Sequence, residues 1–163
     1  MQLLKNKFKK GKNQGRVIAT LTGYAGTLPF IFSAIAALVI EDAYIKNLIN
    51  PIIIYSYIII VFIGAVYWGV GLNIENEKKS YKYYIYSVIP SLCCWIIYLL
   101  NLVYLVNIIF IILFLNLSLL VEKYILNINK IFYWFFLLRL KLNFIVTFSL
   151  LILLIRFLNP FLL

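Results

Sequence analysis

What most limits this chain's fold is the length of its apolar runs. A helix that crosses the hydrocarbon core of a bilayer needs about 20 mostly apolar residues. Five stretches reach or approach that length, at 17–40, 48–73, 83–100, 103–121 and 142–158. Hydrophobic residues make up 65% of the 163 positions and charged residues 12%. An ordinary soluble domain is about half apolar and about a quarter charged. A soluble fold of this length cannot hide so much apolar surface, so lipid must cover much of it. In lipid, backbone polar groups must be bonded within the protein, which favours helices. The expected fold is all-α, a polytopic membrane helix bundle of about five transmembrane helices. It forms a single integral membrane domain at 17–163, behind a basic tail at 1–16. The break between the third and fourth spans is marked by Asn101 and Asn107 alone. A four-span alternative makes 83–121 partly re-entrant.

The charges test this layout independently. Fifteen Lys and Arg stand against five acids (Glu41, Asp42, Glu75, Glu77, Glu122), a net charge of +10. Thirteen of the fifteen lie in the tail, in the 73–82 loop (Lys78, Lys79, Lys82) and in 122–141 (Lys123, Lys130, Arg139, Lys141). Five spans put all thirteen on one side, leaving Lys46 and Arg156 opposite. The positive-inside rule then places the N-terminus inside and the C-terminus outside. Arg156 is expected to snorkel outward. The tail has one Arg and no Ser, unlike a mitochondrial transit peptide, and the apolar run after it is too long for a cleaved signal peptide. Basic residues between apolar spans meet lipid headgroups. No compact basic domain remains for nucleic acid, which is excluded as a partner.

Catalytic and metal chemistry have little to draw on. The chain has no His, and its two cysteines, Cys93 and Cys94, are adjacent in an apolar run. Neighbours in a helix point to different sides, so the pair suits neither a bridge nor a shared metal. No acid falls in the middle of an expected span, and Glu122 follows the fourth span beside Lys123. An intramembrane carboxylate would have pointed to a proton or ion path. The expectation is a non-enzyme with no catalytic residues, no metal and no cofactor.

The small and kinking residues are more informative. Ala19, Gly23, Gly26, Ser33 and Ala37 fall on one face of the first span, interrupted by Phe30. Small residues let membrane helices approach closely. Pro29 should kink that helix or end a half-helix. In the second span Gly64, Ala65, Gly69 and Gly71 surround Tyr67 and Trp68. This stretch is expected to meet the Gly23/Gly26/Pro29 helix near the inner face. In the third span Ser87, Ser91, Cys94 and Tyr98 share a face, with Pro90 among them. Ile131–Lys141 is aromatic and basic and reads as a short interfacial helix before the fifth span. Arg139 within it is a candidate contact for an anionic lipid or a partner's carboxylate.

Four motifs in order carry a resemblance: Gly23-Tyr-Ala-Gly26-Thr-Leu-Pro29-Phe30, Phe62-Ile-Gly64-Ala-Val-Tyr67-Trp68-Gly69, Ser87-Val-Ile-Pro90-Ser91-Leu-Cys-Cys-Trp95, and Trp134-Phe-Phe-Leu-Leu-Arg139. Across about 20–155 the chain resembles the uncharacterised multi-pass membrane family that contains transmembrane protein 69 and bacterial relatives, a domain of unknown function (DUF3429). The family pattern has a Gly where Ala65 stands and a His where Tyr67 stands. If that ring is a ligand or proton carrier in relatives, this chain does not share the chemistry. The resemblance implies a multi-pass protein of the bacterial inner membrane or the mitochondrial inner membrane, and no reaction.

Two functions follow as expectations. The first is an accessory, assembly or lipid-contacting scaffold protein of the inner membrane. Its partners are membrane lipids and, within the bilayer, another integral protein or a second copy. The second is a small transporter with a midplane polar cavity at Pro29 and Pro90, lined by Thr22, Thr27, Tyr67, Ser87 and Ser91.

Overall fold

A computed structural model describes residues 2–41, 44–127 and 132–158, without the side chains of 2–13, 77 and 78. It is all-helical: α1 (Gln2–Ala25), α2 (Leu28–Val39), α3 (Ile45–Leu72), α4 (Glu77–Leu99), α5 (Tyr104–Tyr124) and α6 (Tyr133–Leu158). Among the described residues five segments are long and apolar enough to cross a membrane: Gln14–Val39, Ile45–Leu72, Lys79–Leu99, Tyr104–Tyr124 and Tyr133–Leu158.

The first span is two helices. The Thr27 N–H bonds to Tyr24 O, and the Phe30 N–H to Thr27 O, so the helical ladder tightens and breaks at Gly26–Thr27. Pro29 stands in the first turn of α2, where its missing N–H costs nothing. The Gly26 carbonyl freed by the break accepts from the Tyr55 hydroxyl of α3 at 3.0 Å. The break also changes which face packs. Phe30, Ala34 and Ala37 are buried, whereas Ala19 is exposed and Ser33 only half-buried. Phe30 therefore anchors the seam that it was expected to interrupt, because the turn at 26–27 resets the helical phase.

The turn between α4 and α5 supports five spans over four. Asn101 sits at φ 45°, and its N–H bonds to Tyr98 O. Asn tolerates this left-handed conformation, which ends a helix and reverses the chain. Asn127, just past α5, repeats the device at φ 55°.

Helices α2, α3, α5 and α6 pack in a ring, each on the next. Their inner faces form one core, with Ile49, Ile60, Ile108, Ile111, Leu150 and Leu153 at its centre. Helix α4 lies outside this ring on α3, and α1 lies on α6. Arg156 reaches the end of α2, where its Nε donates to Ala37 O at 3.1 Å and one Nη to Ile40 O at 3.4 Å. It is buried rather than snorkelling outward. A cation at the carbonyl end of a helix satisfies unpaired acceptors and complements the helix dipole.

Two expected boundaries move. Residues 133–141 are not a separate interfacial helix but the first turns of α6, while Ile131 lies outside the described residues. The fourth span does not stop at Val121, since α5 runs on to Tyr124 and carries Glu122 within it. Both shifts have one cause. Hydropathy ends a span at the first charge, whereas Glu122 and Arg139 are buried against each other and prolong their helices.

Candidate functional site

The site lies near one end of the bundle, where α3, α4, α5 and α6 converge. At a 1.5 Å rise, Arg139 stands roughly 9 Å along α6 from its first residue. Glu122 is two residues from the end of α5. Their side chains meet, with Arg139 Nη2 3.4 Å from Glu122 Oε1, and the exposures are 8% and 0%. The same Nη2 donates to the Ser118 hydroxyl at 3.1 Å, and that hydroxyl donates back to Leu115 O at 2.7 Å. Ser118 and Glu122 are four apart, one above the other on α5.

Two tyrosines complete the cluster. Tyr67 of α3 is fully buried and Tyr86 of α4 nearly so. Their rings meet edge to face at 5.0 Å, and their hydroxyls turn toward the Glu122 carboxylate. Around them Tyr83, Leu126 and Phe136 form a second small core. Glu122 Oε2, Arg139 Nε and both tyrosine hydroxyls are buried without a close hydrogen-bond partner in the chain. The two hydroxyls are nonetheless the groups that face the carboxylate beside its ion pair.

Further along the α5–α6 seam, Asn143 Nδ2 donates to Asn116 Oδ1 at 3.0 Å, and Asn116 Nδ2 donates to Thr147 Oγ1 at 3.2 Å. The two helices are thus joined by a polar ladder of Glu122–Arg139, Ser118–Arg139, Asn116–Asn143 and Asn116–Thr147. Hydrogen bonds of this kind hold membrane helices together, since lipid offers no substitute partner.

The sequence-predicted residues separate into two groups. Gly64 lies against Pro90 and Ser87. A Cβ at Gly64 would stand 2.7 Å from Ser87 O and 2.9 Å from Pro90 Cγ. One turn on, Tyr67 meets Tyr86, Trp68 meets the Tyr84 ring at 5.2 Å, and a Cβ at Gly71 would stand 2.8 Å from Tyr84. The second group is Gly26 and Phe30 around Tyr55, with the Phe30 and Tyr55 rings 5.3 Å apart. The glycine stretch of α3 therefore packs on α4 and not on the Gly23 helix. Gly23 packs instead on α6, where a Cβ would stand 3.0 Å from Leu142. Gly69 faces open space, and Trp68 and Trp95 are largely exposed.

The five hydroxyls expected around a midplane cavity do not converge. Thr22, Thr27, Ser87 and Ser91 each bond back to a carbonyl of their own chain three or four residues earlier. Thr22 is exposed, and Tyr67 belongs to the Glu122 cluster. Arg139 is turned inward to a carboxylate of its own chain, so its guanidinium is not presented to a headgroup or to another protein. Among the described residues no three His, Cys, Asp or Glu side chains gather as a metal site.

Glu122 and Tyr86 were the residues the sequence reading passed over. The signal for them was present but faint. Ser118 and Glu122 fall on the buried stripe of α5 with Ile108, Ile111 and Leu115, at helical spacing. An acid continuing an apolar stripe needs a buried cation, and Arg139 continues the stripe Phe136, Asn143, Val146 and Leu150 of α6 in the same way.

Five membrane-length helices tied by a buried ion pair and a polar ladder define a multi-pass transmembrane protein. The chain belongs to the DUF3429 family, described as a protein of unknown function, which matches residues 16–155. No curated protein and no solved structure matches the chain.

Proposed function

We propose that this protein is a non-enzymatic accessory or assembly protein that works as a lipid-contacting scaffold inside the membrane. The observation that carries this reading is where the polarity lies. The strongest polar side chains of the spans bond within the chain, as in Glu122–Arg139, Asn116–Asn143 and Arg156 to α2. The outward faces are apolar and aromatic, with Phe62, Trp95 and Phe144 between 59% and 70% exposed. The links at 73–76 and 100–103 are four residues each. Such a molecule meets its partners through helix faces, as lipids, as another integral protein or as a second copy. The basic charge on one side suits the bacterial inner (plasma) membrane, with the mitochondrial inner membrane as the alternative. Purification in mild detergent followed by native mass spectrometry tests the reading. It expects bound lipid or a co-purifying membrane protein, and a bare monomer would overturn it.

A small carrier is the second reading, and one observation favours it. Glu122 is a carboxylate buried inside a span, a feature that marks proton and ion paths in membranes. A carrier predicts a proton or ion flux in proteoliposomes that Glu122→Gln abolishes. Equal leakage from wild type, variant and empty vesicles would remove it.

A further inference from the structure

Helix α4 packs extensively on α3 and at most weakly on α5. At its foot two bonds pin it to the chain leaving α5. Lys82 Nζ donates to Ile125 O at 2.8 Å, and the Tyr83 hydroxyl donates to Leu126 O at 2.7 Å. Beyond those bonds the two helices part, leaving a groove of about 410 Å³. Its walls are Tyr81, Ile85 and Ile89 of α4 and Phe114, Leu117 and Val121 of α5. Ser118 and Tyr86 lie at its back, and both bear on the Glu122–Arg139 pair.

Length, lining and charge all suit one kind of occupant. At 1.5 Å per residue the wall spans roughly 12 Å along α4 and roughly 11 Å along α5. The hydrocarbon of one leaflet is about 15 Å deep, half of the bilayer core. The groove thus takes most of the length of one acyl chain in one leaflet, and its apolar walls match such a chain. Lys82 stands at the headgroup end. Its ammonium has three donors, of which Ile125 O takes one. Lys79, one turn back on the same helix, is exposed beside it. This is the side of the membrane that carries thirteen of the fifteen basic residues.

We infer that the α4–α5 groove binds one anionic phospholipid of the leaflet on the basic side, with an acyl chain against Ile85 and Leu117 and the phosphate on Lys82. This deepens the scaffold reading and rests on it. The bound chain presses on Tyr86 and Ser118, so occupancy of the groove and packing of the ion-pair cluster are coupled. The lipid closes the flank of the bundle between α4 and α5.

The test uses the full chain reconstituted in vesicles of equal phosphatidylglycerol and phosphatidylcholine, then extracted in mild detergent for native mass spectrometry. Wild type is expected to retain one phosphatidylglycerol per chain. Leu117→Trp fills the groove and is expected to lose that lipid, whereas Ile58→Trp, on an exposed face of α3 outside the groove, is expected to keep it. Lys82→Gln is expected to weaken the preference for the anionic lipid about fivefold, the order set by one lysine near an anionic surface. Retention unchanged in Leu117→Trp would overturn the proposal, as would equal retention of both lipids by wild type. A protein partner that co-purifies while no lipid is retained would overturn the groove and leave the scaffold reading standing.

Discussion

Glu122 and Arg139 are separated by 17 residues and a reversal of the chain, and each sits in a span only because the other does. Charged side chains are rare within membrane spans, and one left alone in a protein interior is strongly destabilising. Glu122→Ala or Arg139→Ala alone is therefore expected to lower stability by about 3 kcal/mol. The double substitution Glu122→Gln with Arg139→Met removes both charges and should recover most of that loss. Thermal unfolding in detergent of the two single variants and the double reads the difference, and a double variant as weak as the sum of the singles would sink the idea of mutual compensation. Tyr55→Phe makes a smaller prediction. It leaves the Gly26 carbonyl without its partner at the helix break and is expected to cost about 1 kcal/mol by the same measurement. Neither pairing was legible in the sequence, because it joins residues from different spans. Hydropathy counts each charge against its own helix and has no term for a partner on another.

At the scale of the element, the sequence was most readable where the backbone itself is constrained. Pro29 after Gly26 announced a broken first span, and the break is there. Asn101 and Asn107 were the only markers of the reversal between the third and fourth spans, and Asn101 adopts the positive φ that such a reversal needs. Pro90 announced less than it seemed to promise, since α4 continues through it. The glycines of α3 were legible as a packing surface, but not the helix they pack on. Gly64 lies so close to Ser87 and Pro90 that a methyl group must push α4 away, whereas a methyl at Gly69 meets nothing. Gly64→Ala is thus expected to destabilise by about 1–3 kcal/mol through overpacking. Gly69→Ala should be neutral or slightly stabilising in the same assay, as Ala favours the helix over Gly. Equal effects at both positions would show that close approach at Gly64 is not what holds α3 and α4 together.

For the whole molecule, the count of spans and their orientation came from independent sources, apolar length for one and loop charge for the other. Together they lead to the expectation of an inside N-terminus. A reporter inserted at Lys79 should therefore read the inner side and one fused after Leu163 the opposite side. Both reading the same side would exclude five spans. The arrangement of helices was much less accessible. A single sequence states that α4 follows α3 and precedes α5, but not that it packs outside a ring closed by α2, α3, α5 and α6. In water a helix left at the edge would be betrayed by a polar outer face. In lipid the outer face is as apolar as the core, so hydrophobic periodicity loses its power to tell inside from outside. That is why α3 and α4, the closest pair in the bundle, were not matched from their patterns.

The Glu122–Arg139 pair also sets an order of events in biogenesis. Translation runs from the N-terminus, so the fourth span reaches the membrane with its acid before the arginine has been made. Until Arg139 arrives, Glu122 has to wait among the lipid headgroups or be held by the insertion machinery. The fifth span is in turn easier to insert once an acid is ready to receive its cation. The last two spans should therefore enter as a hairpin rather than one by one. A nascent chain arrested before residue 133 would hold its fourth helix loosely, available to membrane quality control until synthesis resumes.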